Sequence, residues 1–141
     1  MKGKTEIEKK FRKASKFIQL PLDIVKEPDF FEEWKLEDVK FLEISEFRVV
    51  FVLFLRKYLI DLFPKSLILS VAIRNIHTRE WVFQEFVLKE FLFFPSSYSL
   101  EIRIEGSRIK VFLKDEKGKK EEGIEFEIND FFKTNLEEEL S

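Results

Sequence analysis

Three features of this 141-residue chain predict an α+β fold: an antiparallel β meander of about five to seven strands, N-terminal helices on one face and a short C-terminal helix. The first is a hairpin readable in side chains. Leu100, Ile102 and Ile104 alternate with polar residues, Gly106-Ser107 follows, and Ile109, Val111 and Leu113 alternate in return. A two-residue type II′ turn at Gly106-Ser107 pairs Ile104 with Ile109, Ile102 with Val111 and Leu100 with Leu113, which makes one face wholly apolar. The second feature is helical spacing at the N-terminus, and the third is a succession of β-branched and aromatic runs beyond Ser66.

From the start of the chain, Thr5 and Glu8 have capping-box spacing, and Ile7, Phe11, Ala14 and Ile18 recur at helical intervals. A helix over Glu6–Ile18 follows, stopped by Pro21, with Lys9, Arg12, Lys13 and Lys16 on the side away from its apolar stripe. Pro28 and Asp29, with Glu32 three residues on, mark a second helical start anchored by Phe30, Phe31 and Trp34. Residues 1–40 are therefore expected to be mainly helical, 41–128 mainly β, and 129–141 a short helix, all within a single domain.

The run Phe47–Phe63 is ambiguous by periodicity. Its Val and Phe content favours a strand over Val49–Leu55, with a short helical turn near Tyr58–Leu62 before Pro64, although Ser45 as a cap and the length of the run also suit a buried helix. Leu67–Ile73 is a strand, Asn75–Arg79 a polar connection, and Trp81–Phe94 a strand whose changing apolar parity implies a bulge. Asp115–Gly123 has the composition of a charged loop. Ile124, Phe126 and Ile128 alternate as a last strand, whose apolar face is kept together by pairing Leu113 with Ile124, Phe112 with Glu125 and Lys110 with Glu127. Asn129 or Asp130 then caps a helix carrying Phe132, Leu136 and Leu140.

Composition removes several classes of chemistry. Without cysteine there is no disulfide, thiolate nucleophile or Cys-based metal site, and one histidine cannot make a His-rich metal centre. The glycines match no phosphate-binding spacing, and Asp29 with Glu33-Trp34-Lys35 lies within too short a span for the split acid and lysine pattern of metal-dependent nucleases. His77 sits in a connection with no partner fixed by sequence. No catalytic residue, cofactor or metal is therefore expected. Residues 1–16 are too charged for a signal peptide, and Val49–Leu55 is far shorter than the roughly 20 residues a spanning helix needs, so a cytoplasmic protein without a membrane span is expected. Zero Cys, one Met and 37% charged residues resemble the composition of thermophile proteins.

Net charge is −2, yet residues 1–16 carry +5 and residues 121–141 carry −7. Opposite ends attract, within one chain or between neighbours. Together with 18 phenylalanines, more aromatic material than one small core needs, this favours a non-catalytic protein-interaction or assembly module that self-associates. Its contacts are expected at Lys9, Arg12, Lys13 and Lys16, and at Phe131, Leu136 and Leu140. The alternative partner is single-stranded nucleic acid, held by Arg103, Arg108, Lys110, Phe112 and Lys114 on the outer face of the hairpin, where Arg103 opposite Lys110 calls for a compensating anion. Acids of the last strand can serve instead. A third reading is a carrier of an apolar small ligand in a Phe-lined cavity.

Overall fold

The structure, a computed structural model, describes residues 2–22, 30–60, 63–92 and 97–140. Among them the chain forms α1 (Lys2–Ile18), β1 (Glu32–Ile44), β2 (Phe47–Tyr58), β3 (Lys65–Asn75), β4 (Trp81–Phe91), β5 (Tyr98–Glu105), β6 (Arg108–Asp115), β7 (Lys120–Glu127) and α2 (Ile128–Leu140). Strands pair only with their sequence neighbours, all antiparallel, in a four-stranded sheet β1-β2-β3-β4 and a three-stranded sheet β5-β6-β7. The α+β meander expected from the sequence is present, split into two sheets.

Period-two alternation sorts β2 into two faces. Val50, Val52 and Phe54 point to a layer shared with Ala14 and Ile18 of α1, whereas Val49, Phe51, Leu53 and Leu55 point to the layer shared with Leu100, Ile109, Val111, Leu113 and Phe132. The order of layers is thus α1, four-stranded sheet, then three-stranded sheet with α2. Because β2 and β3 are covered on both sides, they read as near-continuous apolar runs, which is why Val49–Leu55 resembled a buried helix. Ser45 is no helix cap: at φ 55° it turns the β1–β2 hairpin. No helical turn forms at Tyr58, which ends β2, and residues 61–62 lie outside the described part.

The helix expected after Pro28 does not form over Phe30–Trp34. Phe30 and Phe31 are in a turn and β1 begins at Glu32, so the last part of segment 1–40, from Glu32 on, is strand and not helix; Pro28 and Asp29 themselves lie outside the described residues. Pairing with β2 overrides the local helix signals. A bulge at Glu37 hides the alternation, since Trp34 and Leu36 share the α1 layer with Val39. The Glu37 side chain is only 6% exposed, and Oε1 has no hydrogen-bond partner. Burial raises its pKa, opposed chiefly by Lys35. A carboxyl whose pKa is raised on folding favours the folded state most below its ordinary pKa, and that contribution is lost as pH rises through the folded pKa. Glu37→Gln is therefore expected to add about 1 kcal/mol at pH 7, a gain that fades on acidification, as urea midpoints at the two pH values will show.

α1 starts at Lys2, so Thr5 lies inside the helix and is not its cap. Its end is defined by Gln19 at φ 59° and by Leu20 N–H donating to Ser15 O at 3.2 Å, a Schellman-type closure. Arg48 donates to Phe17 O at 2.7 Å, and Arg74 donates to Ile18 O and Gln19 O. Two guanidinium groups at the negative end of the helix thus fasten α1 to β2 and β3.

Asp38, buried beside the bulge, joins the two sheets: Oδ1 accepts from Val39 N–H at 2.9 Å and Oδ2 from Leu100 N–H at 2.7 Å. At the other side of the sandwich Lys89 of β4 meets Glu121 of β7 at 2.8 Å. The expected bulge in β4 falls at Leu88, between the pairs Leu67–Lys89 and Ile68–Val87. All three hairpin pairings read from the sequence occur, and φ is positive at Gly106 and not at Ser107, the φ pattern of a type II′ turn.

The last strand departs in register. Val111, not Leu113, faces Ile124, while Lys110 faces Glu125 and Phe112 faces Glu122. Asp115 is the reason: its Oδ1 accepts from Lys117 and Lys119 N–H, both at 2.9 Å, closing a short turn that lets β7 begin at Lys120. α2 begins at Ile128 and is capped by Glu127, whose Oε2 accepts from Asp130 N–H at 2.9 Å, in place of Asn129 or Asp130.

Candidate interaction surfaces

The exposed side of α1 is rich in cations, with Glu6 and Glu8 exposed among them in its N-terminal half. Lys9, Lys10, Arg12, Lys13 and Lys16 are exposed, because Ala14 and Ile18 turn the opposite side onto the sheet. None of the five forms an ion pair with a described residue.

Across the molecule, α2 and β7 carry the acids. Glu122, Glu125, Asp130 and Glu137 are exposed there. The apolar residues of this end serve the core: Phe131 and Phe132 are 8% and 7% exposed, Leu136 packs beneath them, and the Leu140 side chain lies outside the described residues. Phe131 packs on Phe126 in a tilted pair with ring centroids 4.6 Å apart, and Phe132 meets Phe47 at 5.2 Å. Helical spacing alone could not separate an apolar stripe for a partner from one for the chain's own sheets. Where β4, β7 and α2 splay, a groove of about 410 Å³ opens over Phe86, Ile124, Phe126 and Phe131, with Glu125, Glu127 and Asp130 along it. Glu127 sits well anchored: hydrogen bonds from Ser107, then Asp130 and Asn129, hold its pKa below the usual carboxylate range.

The hairpin cations are answered within the chain. Arg103 lies opposite Lys110, as expected, but Arg108 contacts Glu125 at 2.9 Å, Lys110 contacts Glu105 at 3.4 Å, and Arg103 approaches Glu101 at 3.7 Å. Glu101 also receives Lys120 at 2.7 Å, which lowers its pKa. Phe112 is covered by the Arg103 guanidinium, 5.0 Å from the ring centroid, and Lys114 is half-buried opposite Lys120. Arg103, Arg108, Lys110, Phe112 and Lys114 do share one face, and acids interleave it.

His77 is exposed in the β3–β4 turn, which Asn75 organises by accepting the His77 and Thr78 N–H groups at 2.9 and 3.0 Å. Among the described residues no group of three or more His, Asp and Glu could hold a metal ion, and no helix is long and apolar enough to cross a membrane. The space between the sheets is filled by Phe51, Leu53, Leu69, Val71, Ile109 and Val111, each at most 0% exposed.

One surface escaped the sequence reading. At one end of the four-stranded sheet, the turn into β1 exposes Phe30 and Phe31, the β2–β3 connection exposes Leu59, Ile60 and Phe63, and the residue after β4 exposes Leu92. The register Glu32–Tyr58 and Lys65–Phe91 puts all of them at the same end, and Leu59 N–H donates to Phe31 O at 2.8 Å. In the sequence they are three separate short runs beside turns, and only strand pairing unites them.

No protein-family model matches the chain, and no curated protein or solved structure matches it either.

Proposed function

We propose that the protein is a non-catalytic interaction module that assembles with copies of itself. The observation that carries this reading is the separation of charge: the cationic side of α1 covers one face of the four-stranded sheet without an ion pair to a described acid, while the acids of β7 and α2 belong to the layer packed on its other face. A helix on one side of the sandwich cannot neutralise a face on the other. Two copies can, by setting Lys9, Arg12, Lys13 and Lys16 of one against Glu122, Asp130 and Glu137 of the next. Such a contact joins two different patches and is head-to-tail.

Size-exclusion chromatography with light scattering tests it, at about 0.1 M and about 1 M salt, where the screening length falls from about 10 to about 3 Å. Oligomers at low salt that lose mass on Lys9→Glu with Lys13→Glu support the charge contact. A monomer under every condition rejects self-assembly. A monomer carrying ultraviolet-absorbing material that salt strips away supports the nucleic-acid reading instead, with Phe112→Ala as the next variant.

A further inference from the structure

We propose that the groove between β4, β7 and α2 seats the α1 helix of a second copy, with a lysine stem on its phenylalanine floor and the ammonium against Asp130. This inference rests on the self-assembly reading and deepens it by fixing one side of the charged contact.

The groove exists because the two sheets part on this side. β4 and β7 are edge strands, tied by Lys89 and Glu121 near one end and held apart by α2 at the other. Beneath α2, Phe131 is centred 4.6 Å from Phe126 and 6.2 Å from Phe86, and the three rings make a floor. At about 410 Å³ the space falls within the roughly 300–1,000 Å³ of ordinary binding clefts.

Its described charges have one sign. The charged residues that line it are Glu125, Glu127 and Asp130, all acids. Glu125 is already paired with Arg108, and Glu127 accepts from Asp130 N–H and from Asn129. Asp130 is exposed, and its carboxylate has no partner among the described residues. The nearby bases are engaged or turned away: Arg108 meets Glu125, Lys110 meets Glu105, and Lys133 falls by helical phase on the side of α2 opposite Phe131 and Asn135. Beyond Lys133 the sequence adds Glu137, Glu138 and Glu139 and no further base.

An apolar floor under acids suits a cation on a long apolar stem. Lysine lays its methylenes along apolar surface while its ammonium keeps polar company, and aromatic faces attract cations. The chain supplies such groups in one place. Residues 9–18 hold Lys9, Lys10, Arg12, Lys13 and Lys16 and no acid, Glu6 and Glu8 lying before them. Lys9, Lys13 and Lys16 share a stripe at i, i+4 and i+7, the spacing of Asp130, Thr134 and Glu137 on α2, so a helix laid alongside finds an acid toward each end of the stripe. Within one molecule the four-stranded sheet separates α1 from the groove. A second copy is therefore the donor.

The test mixes equal amounts of ordinary and isotope-labelled chain at about 0.1 M salt, where charged contacts act, and adds a water-soluble carbodiimide, which joins an ammonium directly to a carboxylate as an amide. Mass spectrometry should find peptide pairs of mixed isotope linking Lys9, Lys13 or Lys16 to Asp130. Filling the groove with Thr134→Trp, which leaves every charge in place, should weaken association by about fivefold or more, the share of one partly buried ion pair. Thr134→Arg, which seats a cation there, should do the same, and circular dichroism verifies that both variants fold. Oligomers that yield no mixed pair to Asp130, or only pairs to Glu122 or Glu137, overturn the groove and leave self-assembly standing. Thr134→Trp protein that associates like the wild type does the same. A wild type monomeric at about 0.1 M and about 1 M salt rejects both readings, and hexylammonium chloride that shifts the Phe126 and Phe131 ring signals of that monomer would assign the groove to a free organic cation.

Discussion

Phe51→Ala is expected to lower the unfolding free energy by about 3–5 kcal/mol, the range for emptying an aromatic site in a close-packed core. Phe51 is fully buried in the middle of β2, on the face turned toward the three-stranded sheet, with the Phe126 ring centroid 6.5 Å away. Its strand is hydrogen-bonded on both sides, to β1 and β3, so the backbone cannot sink into the cavity. A domain stable by about 5–15 kcal/mol would lose a large share of its margin. Phe41, 39% exposed at the α1 layer, provides the control: its alanine variant should cost under about 1 kcal/mol. Urea unfolding of both variants decides the matter, and equal losses would mean that the inter-sheet core is not the main source of stability.

The second large effect is expected at Asp38. Removing its carboxylate in Asp38→Ala leaves the buried Leu100 N–H without its acceptor and should cost about 1–3 kcal/mol. Asp38→Asn keeps one carbonyl oxygen and should recover part of that loss, while Lys89→Ala, which breaks a half-exposed ion pair at the opposite side, should cost less than about 1 kcal/mol. The ordering of the three, more than any single value, tests whether one side of the sandwich is joined through a buried bond and the other through a solvated one. Hydrogen exchange at Leu100 gives an independent reading, because its amide should lose protection in Asp38→Ala before its neighbours in β6 do.

What could be read in the residues depended on the range over which the deciding force acts. The hairpin at Gly106-Ser107 was legible because a two-residue turn leaves only one pairing that keeps Leu100, Ile102 and Ile104 on one face. α1 was legible because its apolar stripe is regular. β1 was not, since the bulge at Glu37 breaks its alternation and Asp29 and Glu32 imitate a helix start. The register of β7 was displaced by two residues, and by three beyond the irregularity between Val111 and Phe112, because charged Lys120, Glu121 and Glu122 resemble a loop, yet on an edge strand half the side chains face water. The candidate surfaces divided in the same way. Lys9, Arg12, Lys13 and Lys16 are exposed as their helical phase implies, whereas Phe131 and Leu136 occupy a stripe whose partner proved to be the chain's own sheets. The apolar end was invisible, because proximity among Phe30, Leu59 and Leu92 is created by strand pairing alone.

Pairing confined to sequence neighbours has a kinetic meaning. Every ladder among the described residues joins two strands consecutive in the chain, so the search that brings strands together involves short loops and small entropic penalties. Each meander can zip from its own turns. The expected slow step is then the meeting of the two sheets, which brings Phe51 to Phe126 and Asp38 to Leu100. A chain of this topology should fold faster than a Greek-key sandwich of equal length, in which distant strands must cross before any ladder is complete.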